Sequence, residues 1–134
     1  MSKYLERAKE LRAIVTPHYN CCQAVALPFA PEAGYTEETA YRFACHFAGG
    51  MRMGGTCGAV TGGLMVLGLY GLDDPAIVAD YYRRFRAKHE QMDCTALLAA
   101  NAALGREKKP FCDALVFEVV KLVEDILREH GRIA

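Results

Sequence analysis

Apolar residues recur every three to four positions along almost the whole chain, which is the spacing of one helical face. No segment alternates between apolar and polar residues as a half-buried strand would. The pattern predicts helices at about residues 3–15, 21–30, 37–49, 57–72, 76–92, 94–104 and 110–131. Because their connections are short, we expect one all-α domain over residues 1–134, an antiparallel bundle-like array of about six to seven helices.

Residues that favour helix starts precede most of these segments. Side chains with an oxygen acceptor cap the free backbone N–H groups of a first turn. The expected N-caps of this kind are Asn20, Thr36, Thr56 and Asp93. Pro75 and Pro110 are expected at the first helical position, where the missing N–H is not needed. The segment Gly49–Gly55 is predicted to be a flexible glycine-rich loop leading into the fourth helix.

The fourth helix lies in a stretch of twenty uncharged residues, 53–72, which is long enough to cross a bilayer. Seven of the twenty are glycine and two are threonine, so the strongly apolar run is much shorter. We therefore predict a packed helix and no membrane span. Gly58 and Gly62 are four residues apart on one face, and their lack of a side chain allows another helix or a cofactor to approach closely.

The composition excludes some partners and indicates a chemistry. Sixteen basic residues balance sixteen acidic ones, so the charge predicts no nucleic-acid partner. The opening residues are charged and helical and do not resemble a signal peptide, and we expect a cytoplasmic protein. Six cysteines are many for such a chain. In a reducing compartment they indicate metal binding or redox chemistry, since structural disulfides are rare there.

Four of the cysteines are predicted in the first turn of a helix. They are Cys21, Cys57, Cys94 and Cys112. Unpaired backbone N–H groups and the helix dipole favour the thiolate at such positions, so we expect lowered pKa values for these four. Of the other two cysteines, Cys45 is interpreted as core packing in the middle of the third helix, and Cys22 as packing or as an accessory thiol.

Two segments carry a resemblance to a known family. They are Asn-Cys-Cys-Gln-Ala-Val at residues 20–25 and Thr-Cys-Gly-Ala-Val-Thr-Gly at 56–62, followed by Cys94 ahead of Leu97-Leu98 and Cys112 ahead of Val116. From about residue 19 to residue 123 the chain resembles the redox-active proteins named for the cysteine pattern C_GCAxxG_C_C. The order Gly-Cys-Ala in that name appears here as Cys-Gly-Ala, which is a departure from the literal signature.

The resemblance implies a redox role for the four cysteines already selected. It also implies packing roles for Cys22 and Cys45, whose positions usually hold small residues in the family. Members of the family are similar to part of a split-Soret type of cytochrome that carries an additional iron centre. This analogy favours iron as a cofactor.

Three functions remain open at this point. The first is electron transfer by an iron–sulfur cluster or similar thiolate–metal centre bound by Cys21, Cys57, Cys94 and Cys112, since four cysteines are the usual cluster ligands. Backbone groups at Gly55, Thr56 and Gly58 would then surround the cofactor. The second is metal-free thiol–disulfide exchange by Cys57 and Cys21, with Cys57 attacking because its glycine loop is expected to be exposed. The third is a structural zinc or interaction domain.

Other candidate ligands and partners follow from single residues. His18 precedes Cys21 by three residues and His89 precedes Cys94 by five, so each is an alternative metal ligand. We expect a redox partner protein, which the sequence does not identify. A surface that includes Tyr81 and Tyr82 would suit a homodimer.

Overall fold

A computed structural model describes residues 2–134, and within that span the regular secondary structure is entirely helical, with no strand. The all-α prediction is confirmed. The seven α-helices are α1 (Lys3–Ala13), α2 (Cys21–Ala26), α3 (Glu37–Phe43), α4 (Gly58–Leu69), α5 (Pro75–His89), α6 (Cys94–Ala103) and α7 (Lys108–Glu129). Short 3₁₀ turns at Leu27–Phe29 and Pro31–Ala33 extend α2, and a π-type turn at Gly50–Gly54 precedes α4.

Capping residues account for where several helices begin. The Asn20 side chain accepts a hydrogen bond from the Gln23 backbone N–H, and the Gln23 side chain accepts one from the Asn20 N–H. This reciprocal capping box satisfies two free donors at the start of α2. Thr36 caps α3, and Asp74 caps α5 with Pro75 in its first position. These starts are as predicted.

The core is built around the contact between α2 and α4. These two helices share the most extensive interface of the fold, and α7 packs against both of them as well as against α1 and α5. Gly62 makes the close approach possible. A Cβ atom there would lie 2.8 Å from the Cys22 carbonyl oxygen and 3.0 Å from the Val25 Cβ.

Tyr81 is a core residue, which corrects its predicted place on a dimer surface. Its side chain is fully buried, and its hydroxyl donates a 2.8 Å hydrogen bond to the Val60 carbonyl. Gly63 leaves room for this hydroxyl, because a Cβ atom at Gly63 would overlap it. Gly63 therefore accommodates α5, and only Tyr82 of the tyrosine pair remains partly exposed.

The third helix ends earlier than predicted. It stops at Phe43, and the backbone N–H groups of Cys45 and Phe47 bond only three residues back along the chain. The Asn20 amide donates to the Cys45 carbonyl at 3.2 Å, so a partner outside the helix satisfies this acceptor. Cys45 therefore lies in a turn and is partly exposed, and its predicted place in the core is wrong.

No helix in residues 2–134 has the length and apolar character needed to span a membrane. Residues 58–69 form a twelve-residue helix in which Gly58 and Gly62 pack against α2 and Gly63 packs against α5. The uncharged stretch is thus accounted for by helix packing.

Two glycines of α4 provide a matched test of this packing. We expect Gly62→Ala to lower the free energy of unfolding by about 1–3 kcal/mol, because the added methyl group overlaps α2. Gly68 lies in the same helix, and a Cβ atom added there would meet no other atom within 4 Å. Gly68→Ala should be neutral or stabilising by up to about 1 kcal/mol, since alanine restricts the unfolded chain. Urea unfolding of both variants checks this, and equal stability of the two would contradict the account.

Candidate functional site

Four of the six cysteines line a single cavity of about 360 Å³. They lie at or near the N-terminal ends of four different helices and are Cys21, Cys57, Cys94 and Cys112. These are the four that sequence reasoning selected. All six cysteines are free thiols. The remaining wall is largely apolar and includes Leu97, Leu98, Phe111 and Leu115.

A short antiparallel backbone pairing brings two of these cysteines together. The Cys57 N–H donates to the Met92 carbonyl at 2.7 Å, and the Cys94 N–H donates to the Gly55 carbonyl at 2.6 Å. Thr56 and Asp93 form the bridge between these bonds. The segments that enter α4 and α6 are therefore held side by side, so that the first residues of both helices face the cavity.

Thr56 is not the cap of α4, which corrects the sequence interpretation. The helix begins at Gly58, and Cys57 occupies the N-cap position. Thr56 lies one residue before the N-cap, and its backbone is paired with Asp93. Of the three residues predicted to surround a cofactor, Gly58 lines the cavity, whereas Gly55 and Thr56 position Cys57 through this pairing.

Cys21 is the first residue of α2 and lies against the start of α4. Gly58 permits this contact, because a Cβ atom at Gly58 would overlap the Cys21 sulfur and approach the Phe47 carbonyl oxygen at 2.8 Å. The capping box at Asn20 fixes the orientation of this first turn. Cys21 influences all three of the other cavity cysteines, since its proximity raises the pKa of each of them.

Cys112 reaches the cavity from the second turn of α7. The helix begins at Lys108, two residues before the predicted start, so Cys112 is its fifth residue. Pro110 is tolerated as the third residue because the N–H groups of a first turn have no intrahelical partner. Cys112 therefore lacks the first-turn environment that the sequence predicted.

The expectation of lowered thiol pKa values is wrong for Cys57, Cys94 and Cys112. Burial raises the pKa of Cys57 to about 12, and repulsion from Cys21 adds to the rise, while the backbone amides of Val60 and Ala59 partly offset it. The pKa values of Cys94 and Cys112 are also raised, first by burial and then by Cys21. Loss of hydration and proximity of several thiols outweigh the helix termini.

The segment Gly49–Gly55, predicted to be a flexible loop, forms an ordered turn with left-handed backbone angles. Gly49, Gly50, Met51 and Arg52 all have left-handed backbone angles, with φ values of 63°, 65°, 58° and 60°. A non-glycine residue in this conformation costs about 1–2 kcal/mol, so Met51 and Arg52 are strained. The Gly55 N–H closes the turn with a 2.9 Å bond to the Gly50 carbonyl, which delivers the chain into the pairing beside Cys57.

A second, more open cavity adjoins the first, and we call it the outer groove. Its residues are His18, Asn20, Cys45, Ala48, Gly49, Arg52, Met53, Gly54 and Thr95. His18, Asn20, Ala48 and Gly49 line both cavities, so the groove shares a wall with the four-cysteine site. Cys45 borders this groove and does not line the main cavity.

The remaining two candidates have structural positions. Cys22 is fully buried, and its thiol contacts the Met65 sulfur at 3.7 Å, as expected for core packing. His89 pairs with Glu118 and does not line the cavity. Of the two histidines, only His18 therefore borders the site.

Basic residues on the cavity wall were missed by the sequence analysis. They are Arg12, Lys108 and Lys109. Arg12 and Lys109 both bond to Asp113, at 2.7 and 2.8 Å, whereas Lys108 has no ion-pair partner within residues 2–134. Lys108 lowers the pKa of Cys94 and Cys112, which opposes burial. Their clustering is a consequence of tertiary structure, because Arg12 and Lys108 are distant in sequence.

The thiols share a cavity without forming a preassembled single-ion site. Among residues 2–134, no three His, Cys, Asp or Glu side chains are grouped closely enough to hold one metal ion. A tetrahedral zinc site with Zn–S bonds of about 2.3 Å would need sulfurs roughly 3.8 Å apart. The residues that would hold a larger thiolate-bound group are the four cysteines that line the cavity, Cys21, Cys57, Cys94 and Cys112.

Reactivity of Cys57 tests the electrostatic description. Its side chain is buried, with 5% of the residue exposed. In metal-free protein at pH 8 we expect iodoacetamide to modify Cys57 at least about tenfold more slowly than in the unfolded chain, because little thiolate forms below its raised pKa. Mass spectrometry after timed quenching measures the rate. Equal rates in folded and unfolded protein would contradict the prediction.

The raised pKa of Cys57 also makes the free energy of unfolding depend on pH. Its folded value of about 12 lies above the ordinary value of 9.0, so the folded state holds the proton more tightly than the unfolded state. The resulting stabilisation is complete below about pH 9 and is lost as the pH rises toward 12. In metal-free protein, replacement by alanine should reduce this alkaline loss of stability, measured by urea unfolding at several pH values. An unchanged slope would contradict the assignment.

Comparison with known proteins agrees with the residues that form this site. Neither curated proteins nor solved structures gave a match to the chain. Residues 19–126 match the family described as "Putative redox-active protein (C_GCAxxG_C_C)". The matched region contains all four cavity cysteines and the segments that position them. The chain therefore belongs to the C_GCAxxG_C_C family of redox-active proteins.

Proposed function

We propose that the protein transfers electrons through an iron–sulfur cluster held by Cys21, Cys57, Cys94 and Cys112. The observation that carries this proposal is the convergence of these four thiols, from four different helices, on one cavity. Four cysteine ligands are the usual complement of a [2Fe–2S] or [4Fe–4S] cluster. When bound, such a cluster supplies one-electron transfer.

The surroundings of the thiols suit an anionic group. No Asp or Glu within residues 2–134 lines the cavity, whereas Arg12, Lys108 and Lys109 do. Backbone amides of Ala59 and Val60 act on the Cys57 sulfur and lower its pKa against the effect of burial. Basic side chains and amide dipoles stabilise thiolates and set the reduction potential of a centre that they surround.

Other residues would order and shield the centre. Leu97, Leu98, Phe111 and Leu115 form apolar walls that limit the entry of water. Gly58 keeps the Cys21 sulfur close to α4, and the Gly55–Thr56 segment fixes the separation of α4 from α6. The proposal includes a cytoplasmic location, where reducing conditions keep the six thiols available for metal.

Metal-free thiol–disulfide exchange is the second candidate. It is favoured by the absence, among residues 2–134, of three ligands grouped around a single point. Cys21 suits this chemistry better than Cys57 because it is partly exposed and influences all three neighbouring thiols. The buried Cys57, with its raised pKa, lacks the exposure expected of an attacking thiol. Structural zinc has no comparable support.

Iron and sulfide content tests the first candidate directly. Protein prepared without oxygen should contain iron and acid-labile sulfide and should absorb in the visible range. Replacement of Cys21, Cys57, Cys94 or Cys112 by serine should lower bound iron by roughly tenfold or more, because each change removes one thiolate ligand. Metal analysis and visible absorption measure the loss.

Cys45→Ser is the matched control, because Cys45 is also partly exposed and lies outside the main cavity. It should retain iron at the level of the unchanged protein. Colourless protein without iron after anaerobic reconstitution would contradict the cluster. A disulfide between Cys21 and another cavity cysteine under mild oxidation would then favour the second candidate.

A further inference from the structure

Positive charge is concentrated around the two cavities, although the whole chain has no net charge. Arg52 lines the outer groove, and Arg12, Lys108 and Lys109 line the main cavity. Within residues 2–134, neither cavity is lined by a carboxylate. Asp113 forms ion pairs with Arg12 and Lys109, whereas Lys108 and Arg52 have no ion-pair partner among residues 2–134. The approach to the thiols is thus positively charged.

The outer groove combines this charge with exposed apolar surface. Met53 is 78% exposed and borders the groove next to Arg52. Met51, on the same turn, is also exposed. Methionine and arginine are both enriched at protein–protein interfaces. A small hydrated anion would make no favourable contact with the apolar methionine side chains. The chemistry of the groove therefore resembles that of a protein contact.

Backbone strain places these side chains at the surface. Met51 and Arg52 have left-handed backbone angles that cost free energy, and neither side chain is buried in compensation. The turn also fixes Gly54 against Thr95, because a Cβ atom on Gly54 would overlap the Thr95 hydroxyl. Strained residues that lack a core role are most often kept for a contact or a reaction.

We propose that the outer groove is the docking site of an electron-transfer protein with an acidic face. Arg52 in the groove and Lys108 in the adjoining main cavity attract that face, and Met53 packs against its apolar centre. This inference rests on the proposed redox function of the four cysteines, since the groove shares a wall with them. Electrostatic attraction of this kind raises the rate of encounter and weakens as salt screens it.

The charge at the site can be measured in metal-free protein. Iodoacetate and iodoacetamide react with thiols by the same displacement of iodide, but only iodoacetate is anionic. The ratio of their rates at Cys94 and Cys112 should fall by about threefold or more in the double variant Arg52→Gln/Lys108→Gln. Lys121→Gln is the control, because Lys121 is exposed on α7 and lines neither cavity. An unchanged ratio in the double variant would overturn the proposal.

Electron transfer to the reconstituted protein tests docking itself. Reduced flavodoxin, an acidic protein, loses one electron as the centre gains one. Its second-order rate constant should fall on the order of tenfold with added salt or in the double variant. Met53→Ala should slow reduction by flavodoxin several-fold but leave reduction by the small donor methyl viologen radical unchanged. Stopped-flow absorption measures both rates.

The outcomes separate the two proposals. Absence of iron would contradict the cluster, while the alkylation ratio would still measure attraction of anions in the same protein. A flavodoxin rate that is indifferent to salt and to both charge substitutions would overturn the docking site. A rate that responds to charge but not to Met53→Ala would place the acidic partner's contact outside the outer groove, which would also overturn the proposed docking site.

Discussion

The antiparallel pairing between residues 55–57 and 92–94 is the constraint on which the site depends. Its two short hydrogen bonds, from Cys57 to Met92 and from Cys94 to Gly55, hold the starts of α4 and α6 together. Because α4 also packs closely on α2, the same constraint places Cys21 beside this pair. A third contact, between α6 and α7, brings Cys112 to the cavity that the other three cysteines line.

Glycines make this arrangement possible in two ways, by close helix packing and by a left-handed turn. Gly58 and Gly62 lack the side chains that would separate α4 from α2, so one helix face serves both core packing and the site. Gly49 and Gly50 start a left-handed turn that Met51 and Arg52 continue at a cost in free energy. That turn leads the chain into the pairing with residues 92–94 and leaves Arg52 beside the outer groove.

The sequence predicted the helical fold and the four cysteines because periodicity, capping residues and spacing are local signals. Cys45 was misassigned because α3 ends at Phe43, and the Cys45 carbonyl accepts a hydrogen bond from the Asn20 side chain instead of from a helical N–H. The pKa of Cys57 was misjudged because first-turn position is visible in a sequence, whereas the burial of its side chain is not. Arg12 and Lys108 were missed for the same reason, since only folding brings them to one wall.

Convergence of four thiols on one cavity is the central claim, and cross-linking of metal-free protein with dibromobimane tests it most directly. This reagent becomes fluorescent only when both of its arms have alkylated nearby thiols. Peptide mapping should find bridges among Cys21, Cys57, Cys94 and Cys112, with Cys21 in most of them, since it influences each of the others. Bridges that mainly join Cys45 to one of these residues, or no bridges at all, would contradict the account.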